Sequence, residues 1–191
     1  MFRQLLPEPA ELPDGAAVVE GLDFGAQAHD DRPYLVLNMV TTADGRATIG
    51  GRSGPIGSDL DTEMLVGLRR RFDAVMIGAG TMRAERYAGL KTRLVVVESE
   101  PGGWVDMSAL LRSLREEGVE ALLCEGGPTL HGSLQAAGLV DELFATFAPK
   151  LAGGGAPTMV EGALPEVVEL ELAWLLEHEG ELFARYRRPL N

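Results

Sequence analysis

The sequence predicts an α/β fold: a mostly parallel central sheet flanked by helices, with an antiparallel hairpin at its C-terminal end. Three observations predict it. From Tyr34 onward, short apolar runs alternate with amphipathic stretches. Glycines follow directly on two of those runs, at Gly78-Ala79-Gly80 and Gly126-Gly127. Residues 168–187 instead alternate apolar and polar positions about a central turn.

The elements follow in order. Residues 1–32 read as an irregular N-terminal arm with a short strand at Ala16–Val19, and residues 33–191 as a single domain. Tyr34–Thr41 reads as a strand ending in the turn Asp44-Gly45. Ser58 or Asp59 can cap a helix over Leu60–Phe72, whose residues Leu60, Met64, Leu65 and Leu68 share one face. Ala74–Ile77 is a buried strand, and Thr81–Tyr87 has room for two helical turns at most. Leu94–Val97 is a strand. Met107–Glu117 is a helix closed by Gly118. Glu120–Cys124 is a strand, followed by a helix over Pro128–Ala137 with proline near its first turn. Val140–Phe147 is a further strand, whose alternation exposes apolar residues on both faces and suggests a dimer contact. Val168–Leu176 and Glu181–Arg187 pair through the turn Glu177–Gly180, forming a hairpin expected at the sheet edge.

Composition narrows the function. The 191 residues are 46% apolar and 24% charged, ordinary for a globular protein. With 17 basic and 29 acidic residues the net charge is −12, which repels nucleic acid and anionic membranes. A phosphorylated ligand would therefore need a local pocket of Arg and backbone N–H groups. The single cysteine, Cys124, allows no internal disulfide. The N-terminal stretch lacks the apolar core of a signal peptide, and no apolar run reaches the ~20 residues that span a bilayer. The expectation is a cytoplasmic protein.

Glycines after a buried strand let a ligand approach the backbone, and the helix that follows offers free N–H groups to a phosphate. In an open α/β sheet such loops fall at the ligand-binding edge. Either loop alone could serve helix packing. Two at one edge favour a dinucleotide or another phosphate ligand. A Rossmann fingerprint competes, since Gly78-x-Gly80 follows a strand and Glu98 lies where a ribose-binding acid would be expected. Against it, Arg83 occupies the third glycine position and the following segment is short for a crossover helix. No P-loop sequence occurs. His29, His131, His178 and Cys124 have no metal-ligand spacing, and there is no G-x-S-x-G nucleophile elbow. Such a chain most readily does chemistry through a bound organic cofactor.

Taken together, several motifs carry a family resemblance. They are Thr42-Ala43-Asp44-Gly45-Arg46, Gly51-Arg52-Ser53, Leu68-Arg69, Gly78-Ala79-Gly80-Thr81 and Glu125-Gly126-Gly127-Pro128-Thr129-Leu130. Gly138-Leu139-Val140-Asp141-Glu142-Leu143 and Ala148-Pro149-Lys150-Leu151 add to them. In order and spacing, over about residues 33–156, the chain resembles the reductase domain of the riboflavin-biosynthesis deaminase-reductases. The resemblance implies a dihydrofolate-reductase-like fold, a homodimer and NADPH as cofactor. It also implies reduction of a phosphoribosylamino-pyrimidine to its ribityl form by hydride delivery to ribose C1′.

By position, Gly78, Gly80, Thr81, Glu85 and Ser99 correspond to cofactor contacts, and Gly126 through Leu130 to the pyrophosphate loop. Asn38, Ser53, Arg69 and Glu125 correspond to substrate contacts. Two departures bear on substrate and adenine binding: the segment Arg83–Arg93 is rewritten and shorter, and the stretch from Ser99 to Val105 is much shorter than usual.

Each residue also has a simpler reading. Asp44 precedes Gly45 and suits a turn, although a carboxylate near a nicotinamide could also orient substrate or relay a proton. Arg69 lies in the last helical turn, where a cation complements the macrodipole. Thr81 could be a helix cap. Glu125, between a buried strand and a glycine turn, needs partners, which either a substrate amide or a structural Arg could supply. Two functional alternatives stay open: a related reductase for a different pterin or pyrimidine, and a non-catalytic NADP-binding module.

Overall fold

The computed structural model describes residues 1–85, 87, 90–98 and 105–189. Strands β1 (Phe2–Leu6) and β2 (Ala10–Leu12) and helix α1 (Gly15–Val19) come first, then β3 (Tyr34–Thr42), α2 (Asp59–Arg69), β4 (Ala74–Gly78) and α3 (Ala79–Ala84). Next are β5 (Arg93–Val97), α4 (Met107–Glu116), β6 (Ala121–Cys124), α5 (Pro128–Ala136) and β7 (Glu142–Ala148). The chain closes with β8 (Glu171–His178) and β9 (Glu181–Arg187).

The strands form one sheet in the order β2-β1-β8-β9-β7-β3-β6-β4-β5. From β7 to β5 every pairing is parallel; from β7 to β2 every pairing is antiparallel. β3 is the axis of the parallel half, with Tyr34 beside Ala121 of β6 and Val36 beside Glu142 of β7. Its near-continuous apolar sequence follows from burial on both faces. Leu35, Leu37 and Met39 join Leu122 of β6 in a core covered on that side by Leu111 of α4 and Leu134 of α5. Tyr34 and Val36 point the other way, toward Met64, Leu68, Phe144 and Phe183. Ser58 caps α2 by accepting the Asp61 N–H at 3.2 Å, and Gly118 closes α4 at φ +88°.

One buried network joins the two halves of the sheet. Glu142 is fully buried and accepts from Arg185 Nε at 2.6 Å, Arg185 Nη2 at 2.8 Å, Arg187 Nε at 3.1 Å and the Tyr34 hydroxyl at 2.9 Å. Its neighbour Asp141 accepts two bonds from Arg32, at 2.7 and 2.8 Å, and the Leu35 N–H at 2.8 Å. Together they fix the register of β7 against β3.

The structure corrects three expectations. Residues 1–32 are not irregular: β1 pairs with β8 in the same sheet, and the stretch read as a strand at Ala16–Val19 lies in helix α1. The C-terminal hairpin is not at the edge, because β1 and β2 extend the sheet beyond β8. Strand β7, expected to expose apolar residues for a dimer, lies between β9 and β3 and is almost wholly buried within the chain itself. It therefore offers no surface to a second copy.

Candidate active site

Parallel strands β3, β4 and β6 end at the same edge, and both glycine loops meet there. The Gly78 N–H donates to the Gly126 carbonyl at 2.9 Å, and the Glu125 N–H to the Met76 carbonyl at 3.0 Å. Their closeness explains the glycines. A Cβ at Gly127 would sit 2.9 Å from Thr81 Oγ1, and Gly126 holds φ +89° with Met39 Sδ 3.0 Å from where its Cβ would be. Helix α5 starts at Pro128 with Gly127 as cap. Among the described residues no side chain caps it and no acid lies in its first turn. Its N–H groups and positive dipole end are free for an anion.

The loops form one wall of a cleft of about 990 Å³, within the usual range for a small-molecule site. The opposite wall is α2. Where α2 ends, Arg69 forms a two-pronged ion pair with Glu125 at the end of β6: Nε to Oε1 at 2.6 Å and Nη2 to Oε2 at 2.6 Å. The Glu125 side chain is 5% exposed, so both oxygens meet the guanidinium rather than water. Hydrogen bonding to the Glu125 carboxylate raises the Arg69 pKa further. The Tyr87 ring lies 5.4 Å from the guanidinium, and burial pushes its hydroxyl pKa upward.

Of the residues singled out in the sequence, Asn38, Ser53, Arg69, Gly78, Gly80, Thr81, Glu85, Glu125, Gly127, Pro128, Thr129 and Leu130 all line this cleft. Asn38 Oδ1 is buried with no hydrogen-bond partner among the described residues. Glu85 Oε1 accepts the Ser53 N–H at 2.7 Å and its hydroxyl at 3.1 Å, joining an expected cofactor contact to an expected substrate contact. Gly126 stands behind the lining and positions Gly78 through its carbonyl. Ser99 lies outside the described residues.

Asp44 is not brought to the cleft. Its carboxylate accepts from Thr42 Oγ1 at 2.5 Å, Ala152 N at 3.1 Å and Gly153 N at 2.8 Å. These bonds, the one from Thr42 foremost, hold its pKa down to about 2. The geometry is that of the turn reading: Asp44 anchors the loop after β7.

Sequence reasoning missed Asp61. It lies in the first turn of α2, where an acid reads as a partner of the helix dipole, yet it lines the cleft. Thr146 Oγ1 donates to its Oδ1 at 2.7 Å. Burial raises its carboxyl to about 6; the Thr146 bond opposes the rise, and the nearby charge of Glu181 adds to it. Only the tertiary fold brings these groups together. His131 is fully buried, with Nδ1 3.0 Å from the Met159 carbonyl and Nε2 3.2 Å from Gln135 Nε2.

The RibD C-terminal domain family matches residues 33–101 and 85–179. Among relatives, the 2,5-diamino-6-ribosylamino-4(3H)-pyrimidinone 5′-phosphate reductase of Methanothermobacter thermautotrophicus is 29% identical over 198 aligned residues, covering 74% of this chain and 91% of that one. The enzyme of the same name from Archaeoglobus fulgidus is 25% identical over 191, covering 69% and 87%. Among solved structures, a pyrimidine reductase-like protein from Corynebacterium diphtheriae superposes with TM-score 0.74 at 18% identity, covering 94% of this chain and all of the other. Saccharomyces cerevisiae Rib7, a riboflavin biosynthesis reductase, gives 0.65 at 16%, covering 90% and 98%. The sheet order, the paired glycine loops and these matches agree: the chain belongs to the RibD C-terminal domain family.

Proposed function

We propose that the protein is an NADPH-dependent reductase that converts the ribosyl group of a phosphorylated 6-ribosylaminopyrimidine to a ribityl group, a reaction of riboflavin biosynthesis. One observation carries the proposal: two interlocked glycine loops and the uncapped start of α5 face the Arg69–Glu125 pair across a single cleft. Two relatives are named as reductases of a 6-ribosylaminopyrimidinone 5′-phosphate.

The residues fit a nicotinamide dinucleotide. Gly127 packs so close to Thr81 that a Cβ would press on its hydroxyl, and a pyrophosphate beside this loop would meet the first N–H groups of α5. Thr129 and Ser133 line the same wall, and Arg83 adds a cation in an otherwise acidic protein. When bound, the cofactor supplies the hydride. The preference for NADPH over NADH rests on the resemblance and on Ser99 following Glu98.

The chain's own residues hold the substrate. The Arg69–Glu125 pair presents both donor and acceptor edges to the pyrimidine. The unpartnered Asn38 Oδ1 accepts an N–H from the same ligand. Glu85 fixes Ser53, so that the loop after β3 closes over the sugar phosphate. Burial of the ligand against Leu65, Tyr87 and Leu130 excludes water from the reacting carbon.

Titration with NADPH and NADH, followed by turnover on the 2-amino and 2-oxo forms of the pyrimidine and on dihydrofolate, tests the reading. Tighter NADPH binding and turnover of one of the first two are expected. Turnover of dihydrofolate alone would indicate a different substrate class, and NADPH binding without turnover a non-catalytic module.

A further inference from the structure

We infer that Asp61 is the acid that protonates the departing ribose ring oxygen, an inference resting on the function proposed above. The reduction needs such a group. Hydride reaches C1′, the C1′–O4′ bond breaks with its electron pair on O4′, and O4′ must take one proton to become the hydroxyl of the ribityl chain. The nicotinamide is oxidised in the same step, so hydride and proton together balance it.

The cleft holds few groups able to deliver that proton. Its titratable lining among the described residues is Asp61, Arg69, Arg83, Glu85, Tyr87 and Glu125. Both Glu125 oxygens accept from Arg69, and a proton on either would displace a guanidinium bond. Glu85 Oε1 accepts two bonds from Ser53, and its Oε2 faces Arg52 Nε at 3.8 Å. Burial drives the Tyr87 hydroxyl further from release of its proton, and Arg69 is held protonated by Glu125.

Asp61 differs in its surroundings. No cation pairs with it among the described residues. Thr146, from β7, donates to Oδ1, which leaves Oδ2 to carry a proton. Glu181, from β9, is buried nearby and is held by the Ser58 hydroxyl at 2.5 Å. The helix itself contributes the Ser58 cap and no positive side chain before Arg69. Two acids with no cation between them favour the protonated form of one, and burial raises Asp61 to about 6. Gly57 makes room for its outer oxygen: a Cβ there would press on the carboxyl.

The test uses full-length protein, NADPH and the phosphoribosylaminopyrimidine. Asp61→Asn should lower kcat about a hundredfold or more, leave the NADPH Kd within about twofold, and remove the fall of kcat that wild type shows as pH rises past the Asp61 pKa. Asp61→Glu should restore part of the rate. Glu181→Gln should move that limb to lower pH. Gly57→Ala keeps Asp61 but displaces its carboxyl, and should lower kcat with the thermal midpoint little changed. An Asp61→Asn enzyme with near-wild-type kcat overturns the inference. So does one whose lost rate follows lost stability alone, its pH limb intact and Gly57→Ala fully active. Wild type that turns over neither pyrimidine overturns the proposed function, and this inference with it.

Discussion

Glu125 enters the cleft already paired, and that changes what its substitution should do. Glu125→Gln keeps the volume, loses the charge and turns one of two acceptors into a donor facing Arg69. A charged hydrogen bond of this kind contributes about 1.5–3 kcal/mol. The expected result is a ten- to hundredfold fall in kcat/KM together with a lower thermal midpoint, with NADPH binding nearly intact. Loss of activity without loss of stability would mean that the pair opens to take up substrate. A second residue-scale prediction concerns acid. Burial holds native His131 neutral down to about 4, whereas in the unfolded chain it takes a proton near 6.5. Stability is then lost as pH falls from 6.5 to 4, by up to about 3 kcal/mol. Asp61 works the other way: raised from 3.8 to about 6, it makes stability fall as pH rises through that window. Urea unfolding should therefore show wild type losing about 3 kcal/mol more than His131→Asn on going from pH 6.5 to 4, while Asp61→Asn loses more than wild type. Equal slopes for all three would refute both assignments. The glycines and Glu125 were legible in the sequence because a strand–glycine–helix junction states its own local geometry. Asp61 was not, since its partner Thr146 lies 85 residues away, and neither was the anchoring role of Asp44, two of whose partners are on the loop after β7.

At the scale of elements, α5 does two jobs. Its first turn faces the cleft, and its far side is clamped to the segment after β7. Glu161 N donates to the Pro128 carbonyl at 3.1 Å, and His131 reaches the Met159 carbonyl. Gly132 permits this approach, because a Cβ there would run into the Glu161 carbonyl, which is backbone and cannot swing aside. Gly132→Ala should cost about 1–3 kcal/mol of stability, read by denaturant unfolding. Gly127→Val acts on the other end. Its side chain presses on Thr81 and crowds the loop proposed to hold the pyrophosphate, so NADPH should bind at least about tenfold more weakly while the fold survives. A Gly127→Val protein with unchanged NADPH affinity would remove the pyrophosphate from this loop. Helices α2, α4 and α5 were readable from caps and periodicity: Ser58, Gly118 and Pro128 lie where they start or stop. The hairpin was readable too, but its place in the sheet was not. Alternation shows that a strand has two unlike faces; it does not say which strand comes next to it.

For the whole molecule, the N-terminal strands were the part least legible in the sequence. FRQLL is short and interrupted by charge, and nothing local marks it as the neighbour of a strand near the other end of the chain. Yet Phe2 is fully buried, with its ring centroid 4.9 Å from that of Phe183 in an edge-on contact. Phe2→Ala should cost about 3–5 kcal/mol, measured by unfolding, if residues 1–12 are part of the folded body; a change below about 1 kcal/mol would make them an appendage. The sheet assembles the cleft in which reduction is proposed to occur. The direct measurement is to add the 5′-phosphorylated ribosylaminopyrimidine to the protein and NADPH and follow dihydronicotinamide absorbance, with mass analysis of the product. One NADPH should be consumed for each substrate converted, giving a product heavier by two hydrogens, carried on an opened ribityl chain. Tight NADPH binding with no consumption on either the 2-amino or the 2-oxo substrate would contradict the proposed reduction.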